Sequence, residues 1–196
     1  VQQSNLENQF IMTYGGAWND NRFYAQDYFA WEPDCVPVNP IIGTADFVMY
    51  HGLRTGLSRV IPIKVYNDTA YSIVAETDHD NTLSFFSEKT AKPLIARRLF
   101  VAFTGYRFLH NLRAQGFQTF GNIIDESYDD IKDDHERYTA AFEQVKRLCS
   151  MNQWQVYQAI ESTLEHNHQH IMMTNWTAFA AEKIQRKVNT LLAQSA

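Results

Sequence analysis

The sequence predicts an α/β fold, a parallel sheet flanked by helices with a helical carboxyl-terminal extension. Two observations carry this prediction. The stretch Tyr71–Gly105 reads as strand, loop, helix, strand, and from Asp134 to the end the apolar residues recur with helical period. Within the first stretch, Tyr71–Thr77 is apolar and β-branched and then stops at an acid. Asp78–Ser84 is polar and turn-like, and Leu99–Phe103 is a second apolar run closed by Gly105. Two apolar strands separated by a helical crossover of about a dozen residues or more pair in parallel, with a right-handed connection.

A chain of 196 residues with 45% apolar content can bury a real core, as one large domain or two small ones. It has no apolar run long enough to span a membrane and no cleavable signal pattern. Val1 stands where an initiator Met would, which predicts a processed chain or a fragment. Its 17 basic and 22 acidic residues give a net charge of −5, which argues against a broad nucleic-acid footprint and leaves room only for a local basic cleft. Cys35 and Cys149 are far apart, in no metal or redox spacing, and read as free thiols of a reducing compartment.

Three regions are expected: an aromatic-rich arm over 1–44, a Rossmann-like nucleotide-binding domain over 45–150 and a helical extension over 151–196. The arm is punctuated by Gly15-Gly16, Asn19-Asp20-Asn21 and three prolines between Pro33 and Pro40. Its aromatics, Tyr14, Trp18, Phe23, Tyr24, Tyr28, Phe29 and Trp31, fit either a stacking platform or an arm buried against the main domain. Aromatics mainly supply buried area, which favours the second reading.

Ala45–Tyr50 reads as a short strand. The following segment, His51–Arg59, has two glycines and two arginines, the composition of a phosphate loop without the pattern of one. Arg54 and Arg59 are candidate anion contacts there. Ile61–Val65 reads as another strand and Tyr66–Ala70 as a turn or short helix. Ser87 is a suitable N-cap for the next helix, with Glu88 and Lys89 in its first turn, where free amides and the helix dipole favour an anion. Pro93 predicts either a kink or a start nearer Thr90. Tyr106–Gln115 is amphipathic, with Gly116 placed as its left-handed C′ residue. Phe117–Phe120 reads as a short edge strand, and Asp125–Asp130 as an acidic turn before a helix that starts at Ile131 or Asp134.

Several constellations suggest chemistry. His166, His168 and His170 with Glu165 look metal-like, but only His166 and His170 share a helix face, and two ligands do not close a zinc site. A solvated helix end is the competing reading. Asp78-His79-Asp80 has the Asp-X-Asp form that can hold a nucleotide-bound cation, against the reading of an ordinary surface loop. The sharpest set is Glu76, Glu88 and Lys89 at one sheet edge, with Ser87 beside them as a further donor-binding candidate. A carboxylate can accept both hydroxyls of a ribose, and a lysine beside helix amides can hold a diphosphate. The alternative is an ordinary surface helix start.

The run ETDHDNTLSFFSEKTAKPLIARRLFVAFTG resembles the donor-binding domain of GT-B-type glycosyltransferases. It is most similar to the fucosyltransferase pattern of an acid after a strand, a variable loop, an aromatic, [Ser/Thr]-Glu-Lys, then an apolar helix and strand. The longer run Tyr71–Arg137, about a third of the chain, is similar to phage-encoded proteins of that glycosyltransferase type. The resemblance implies that Glu88 binds the ribose and Lys89 the diphosphate of a nucleotide sugar, with Glu76 as the strand-end acid. It requires no metal or other cofactor, since fixed cations replace one. Ala96-Arg97-Arg98 departs from the pattern, which has a small residue or Gly before the strand.

The expected function is therefore sugar transfer from a nucleotide-diphosphate sugar to an acceptor that is a glycan, a protein or modified DNA, in the cytoplasm. Arg54 or Arg59 would help to stabilise the leaving diphosphate. An amino-terminal acceptor domain, which would carry the base, is not visible in 196 residues, so a missing amino-terminal domain or a homo-oligomer is expected. The alternative is a non-catalytic nucleotide-binding or phage assembly protein on the same scaffold.

Overall fold

The computed structural model describes residues 35–37, 47–50, 52–56, 59–61, 63–76 and 85–194. The aromatics from Tyr14 to Trp31 and the Asp78-His79-Asp80 loop lie outside the described residues. The fold is α/β, with helices around a two-stranded parallel sheet and a separate three-stranded antiparallel sheet.

The antiparallel sheet is formed by β1 (Cys35–Pro37), β2 (Phe47–Tyr50) and β3 (Leu53–Gly56), in that order. Tyr50 pairs with Leu53, and Gly52 in the turn between them has a φ of +78°, which glycine adopts without a Cβ penalty. Leu53–Gly56, within the glycine- and arginine-rich segment, is thus one strand of a hairpin. The strand expected over Ile61–Val65 is instead the start of a helix, α1 (Ile63–Asp68). The alternation of Ile61, Ile63 and Val65 imitates a strand. The sequence signal against a strand is the proline that interrupts this alternation, a residue type tolerated in the first turn of a helix.

β4 (Tyr71–Ala75), α2 (Glu88–Ile95) and β5 (Leu99–Phe103) form the expected parallel unit, with Tyr71 opposite Leu99 and Ala75 opposite Phe103. Ser87 caps α2 as its sequence predicts. Its hydroxyl accepts the Lys89 N–H at 3.1 Å, and the helix begins at Glu88 with Pro93 inside it. At the other end, Arg97 takes a left-handed φ of 53°, and the Arg98 N–H reaches back to the Pro93 carbonyl at 2.8 Å. This is a Schellman-type stop carried by arginine where glycine is usual.

The remaining elements are α3 (Phe108–Arg113), a 3-10 turn over Glu126–Asp130, α4 (Asp134–Ser150), α5 (Gln153–Met173) and α6 (Trp176–Gln194). α2 packs on α5, and α4 on β5 and on the 3-10 turn. One hydrophobic cluster joins Val74, Leu94, all of Leu99–Ala102, Phe108, Phe120, Val145 and the Val156, Ile160 and Leu164 stripe of α5. β5 is its centre: each residue from Leu99 to Ala102 is only 1% exposed. A continuous apolar run of this kind is what a strand covered on both faces requires.

The acidic turn builds this core from outside. The Tyr128 hydroxyl accepts the Ala102 N–H at 3.2 Å, so β5 meets a buried side chain where a further strand would otherwise be needed. Asp129 accepts the N–H groups of Leu109 and His110, both at 2.8 Å. It thereby caps α3, whose own N-cap residue, Arg107, makes no side-chain cap. Phe117–Phe120 is not the edge strand its composition predicts. Its backbone groups bond to side chains: Gln118 donates to Asn167 Oδ1 at 2.8 Å and accepts from Asn167 Nδ2 at 2.9 Å, while Phe120 N–H reaches Glu126 at 2.6 Å. Among the described residues, no helix is long and apolar enough to cross a membrane.

Candidate functional site

The site begins where β4 ends. Glu76, the next residue, is 7% exposed, and its carboxylate accepts the Ser87 N–H at 3.0 Å, the Ser87 hydroxyl at 2.5 Å and the Thr90 hydroxyl. The Ser87 carbonyl in turn accepts the N–H groups of Thr90 at 3.2 Å and Ala91 at 3.1 Å. The positive end of α2 therefore already holds an anion, and that anion is the protein's own. Three of the amides that a diphosphate would use, those of Ser87, Lys89 and Thr90, are engaged within the fold.

Glu88 and Lys89 stand outside this clamp. Their side chains are 39% and 41% exposed and face each other across 3.3 Å. Burial works against ionisation of Glu88, but its own backbone N–H, Lys89 and Lys92 outweigh it and hold the pKa below the ordinary glutamate value. Burial lowers the pKa of Lys92, one turn on, with Glu88 opposing that shift. The face thus carries one ionised acid and two lysines. A surface pair such as Glu88–Lys89 contributes about 0–1 kcal/mol, so either partner exchanges readily for a ligand group.

The structure brings Glu76, Ser87, Glu88 and Lys89 together as the sequence predicts. Arg54 lies on β3 in the antiparallel sheet, opposite Met49, and Arg59 lies just before the buried Val60.

The histidines of α5 are tied to backbone carbonyls rather than left as a solvated helix end. His166 and His170 hydrogen-bond the Gly116 and Gln115 carbonyls at 2.9 and 2.8 Å, and His168 the Ile95 carbonyl at 2.7 Å. Glu165 pairs with Arg97 at 2.7 Å. The three imidazoles bond a carbonyl at the end of α2 and two in the turn after α3, where helix ends leave backbone groups without internal partners. No group of three or more metal-ligating side chains occurs among the described residues.

Two residues that pattern reasoning missed hold the region together. Arg137, 1% exposed, donates to the carbonyls of Thr104, Ile131 and Lys132 and to Asp134. Asn167, also 1% exposed, holds the Gln118 backbone. A polar residue at a helical core spacing was the available signal in each case.

No protein-family model matches this chain, and neither a curated protein nor a solved structure matches it.

Proposed function

We propose that the chain is the Rossmann-like, nucleotide-sugar-binding half of a GT-B-type glycosyltransferase. One observation carries the reading. Glu76 fixes the Ser87 turn at the carboxyl end of β4, and this leaves the Glu88 and Lys89 side chains adjacent and exposed at the edge where parallel units take ligands. In this reading Glu88 accepts the ribose hydroxyls, and Lys89 leaves its surface pair to counter the diphosphate charge. Glu76 is a positioning residue and touches no ligand. Sugar transfer breaks the bond from the anomeric carbon to the diphosphate oxygen and forms the bond to the acceptor oxygen. The acceptor proton passes to a base on the acceptor side, and Lys89 stabilises the diphosphate as it leaves.

The test is a thermal-shift series with UDP, GDP, ADP and CMP and their sugars. A ligand at a hundred times its Kd stabilises by about 2.7 kcal/mol. A shift with one base that is lost in Lys89→Ala supports the reading.

A second reading, a non-catalytic scaffold, is favoured by one finding: the carboxylate of Glu76 occupies the helix-start position that a phosphate would take. No shift with any nucleotide supports that reading instead.

A further inference from the structure

A second concavity lies at the opposite end of the parallel sheet. It is a cavity of about 420 Å³ bounded by Tyr71 and Leu99, the first residues of β4 and β5, and by the amino-terminal turn of α5. That volume lies within the range of small-molecule sites.

Its wall holds a cation with an unused donor. Arg98 lines the cavity; its Nε is buried with no hydrogen-bond partner, and no carboxylate among the described residues pairs with it. Its guanidinium instead sits 6.0 Å from the centre of the Tyr66 ring. Buried donors without acceptors are rare and costly, so each asks for an explanation. The neighbouring Arg97 is already paired with Glu165. Asp68 also lines the cavity and disfavours a second negative charge on an occupant.

The mouth is aromatic. Trp154 and Tyr157 stack on each other with ring centroids 5.9 Å apart, and they are 65% and 41% exposed. Solvent-facing rings beside a guanidinium offer a flat apolar wall and a fork for an oxyanion.

We propose that this cavity binds a small organic monoanion with a flat ring, of the aromatic carboxylate class, with Arg98 as its counter-charge and the Trp154–Tyr157 pair as its apolar wall. The site is separate from the Glu88–Lys89 face and does not depend on the donor reading.

The test is calorimetric titration of the full chain with 1-naphthoate, with 1-naphthamide as the neutral isostere. Naphthoate should bind, naphthamide should bind at least about tenfold more weakly, and Arg98→Met should remove that preference. Trp154→Ala, a truncation at a mostly exposed position, should weaken both ligands without unfolding the chain. Lys89→Ala should change neither. Absence of naphthoate binding, equal affinity for the amide, or affinity unchanged in both Arg98→Met and Trp154→Ala would overturn the proposal. A nucleotide response lost in Lys89→Ala with no naphthoate binding would sink this site and leave the donor reading standing.

Discussion

The Glu76 carboxylate grips Ser87 twice, at the backbone N–H and at the hydroxyl, across eleven residues of chain. Strand end and helix start are thereby locked without a backbone ladder between them. Glu76→Ala leaves the Ser87 N–H and the Thr90 hydroxyl to find other partners in a buried setting. Hydrogen bonds to a charged group contribute about 1.5–3 kcal/mol each, so we expect a loss of that order in urea unfolding. Glu88→Ala, at the exposed neighbour, should stay within about 0.5 kcal/mol of wild type. Equal effects of the two variants would show that the clamp does not hold the turn.

Asn167 supplies the second long-range clamp, and its loss should be comparable. Asn167→Leu leaves both the N–H and the carbonyl of Gln118 unpartnered. The expected destabilisation is about 2–4 kcal/mol. Chemical denaturation checks it, and a change below the smaller figure would mean that water replaces the amide.

The two helix stops after α2 and α3 predict opposite signs. Gly116 has a φ of +97°, and a Cβ placed there would lie 2.8 Å from Nε2 of His170, which itself bonds the Gln115 carbonyl. Gly116→Ala should therefore cost more than the 1 kcal/mol or so of left-handed strain alone. Arg97 already bears that strain at φ 53°. Arg97→Gly should be more stable than Arg97→Ala by about 1 kcal/mol, since both lose the Glu165 pair and only glycine relieves the backbone. Melting curves of the three variants decide the matter.

Burial raises the pKa of both Glu126 and Asp129, against the hydrogen bonds that hold their charged forms. The sign follows from linkage. Between the ordinary carboxylate value and the raised one, the folded state binds more protons than the unfolded state. The contribution of these groups therefore grows as pH falls from neutral through the raised pKa, and it levels off below about pH 4. Relative to Glu126→Gln, wild type should gain stability as pH is lowered across that window. A gap that is flat or widens in the other direction would contradict the assignment.

The parallel unit was legible because its signals are local. β5 is a run of apolar residues with Gly105 behind it, and Ser87 stands one residue before α2 begins. What escaped depends on contacts far apart in sequence. Phe117–Phe120 has strand composition, but its partner is an asparagine 49 residues from Gln118. The three histidines look like ligands because nothing in their spacing reveals that the ends of α2 and α3 lie beneath them. Glu76 was placed correctly at the sheet edge. Only the structure shows that its carboxylate is used up inside the fold.

The central claim is that Glu88 and Lys89 form the nucleotide face. The most direct measurement is amide chemical-shift mapping of the labelled full chain titrated with GDP, UDP, ADP and CMP. The account predicts that one nucleotide moves the amides of Ser87–Thr90 and leaves those of Arg98 and Leu99 unchanged, with the response lost in Lys89→Ala. Shifts confined to Arg98, Leu99 and Trp154, or no shift with any nucleotide, would contradict it.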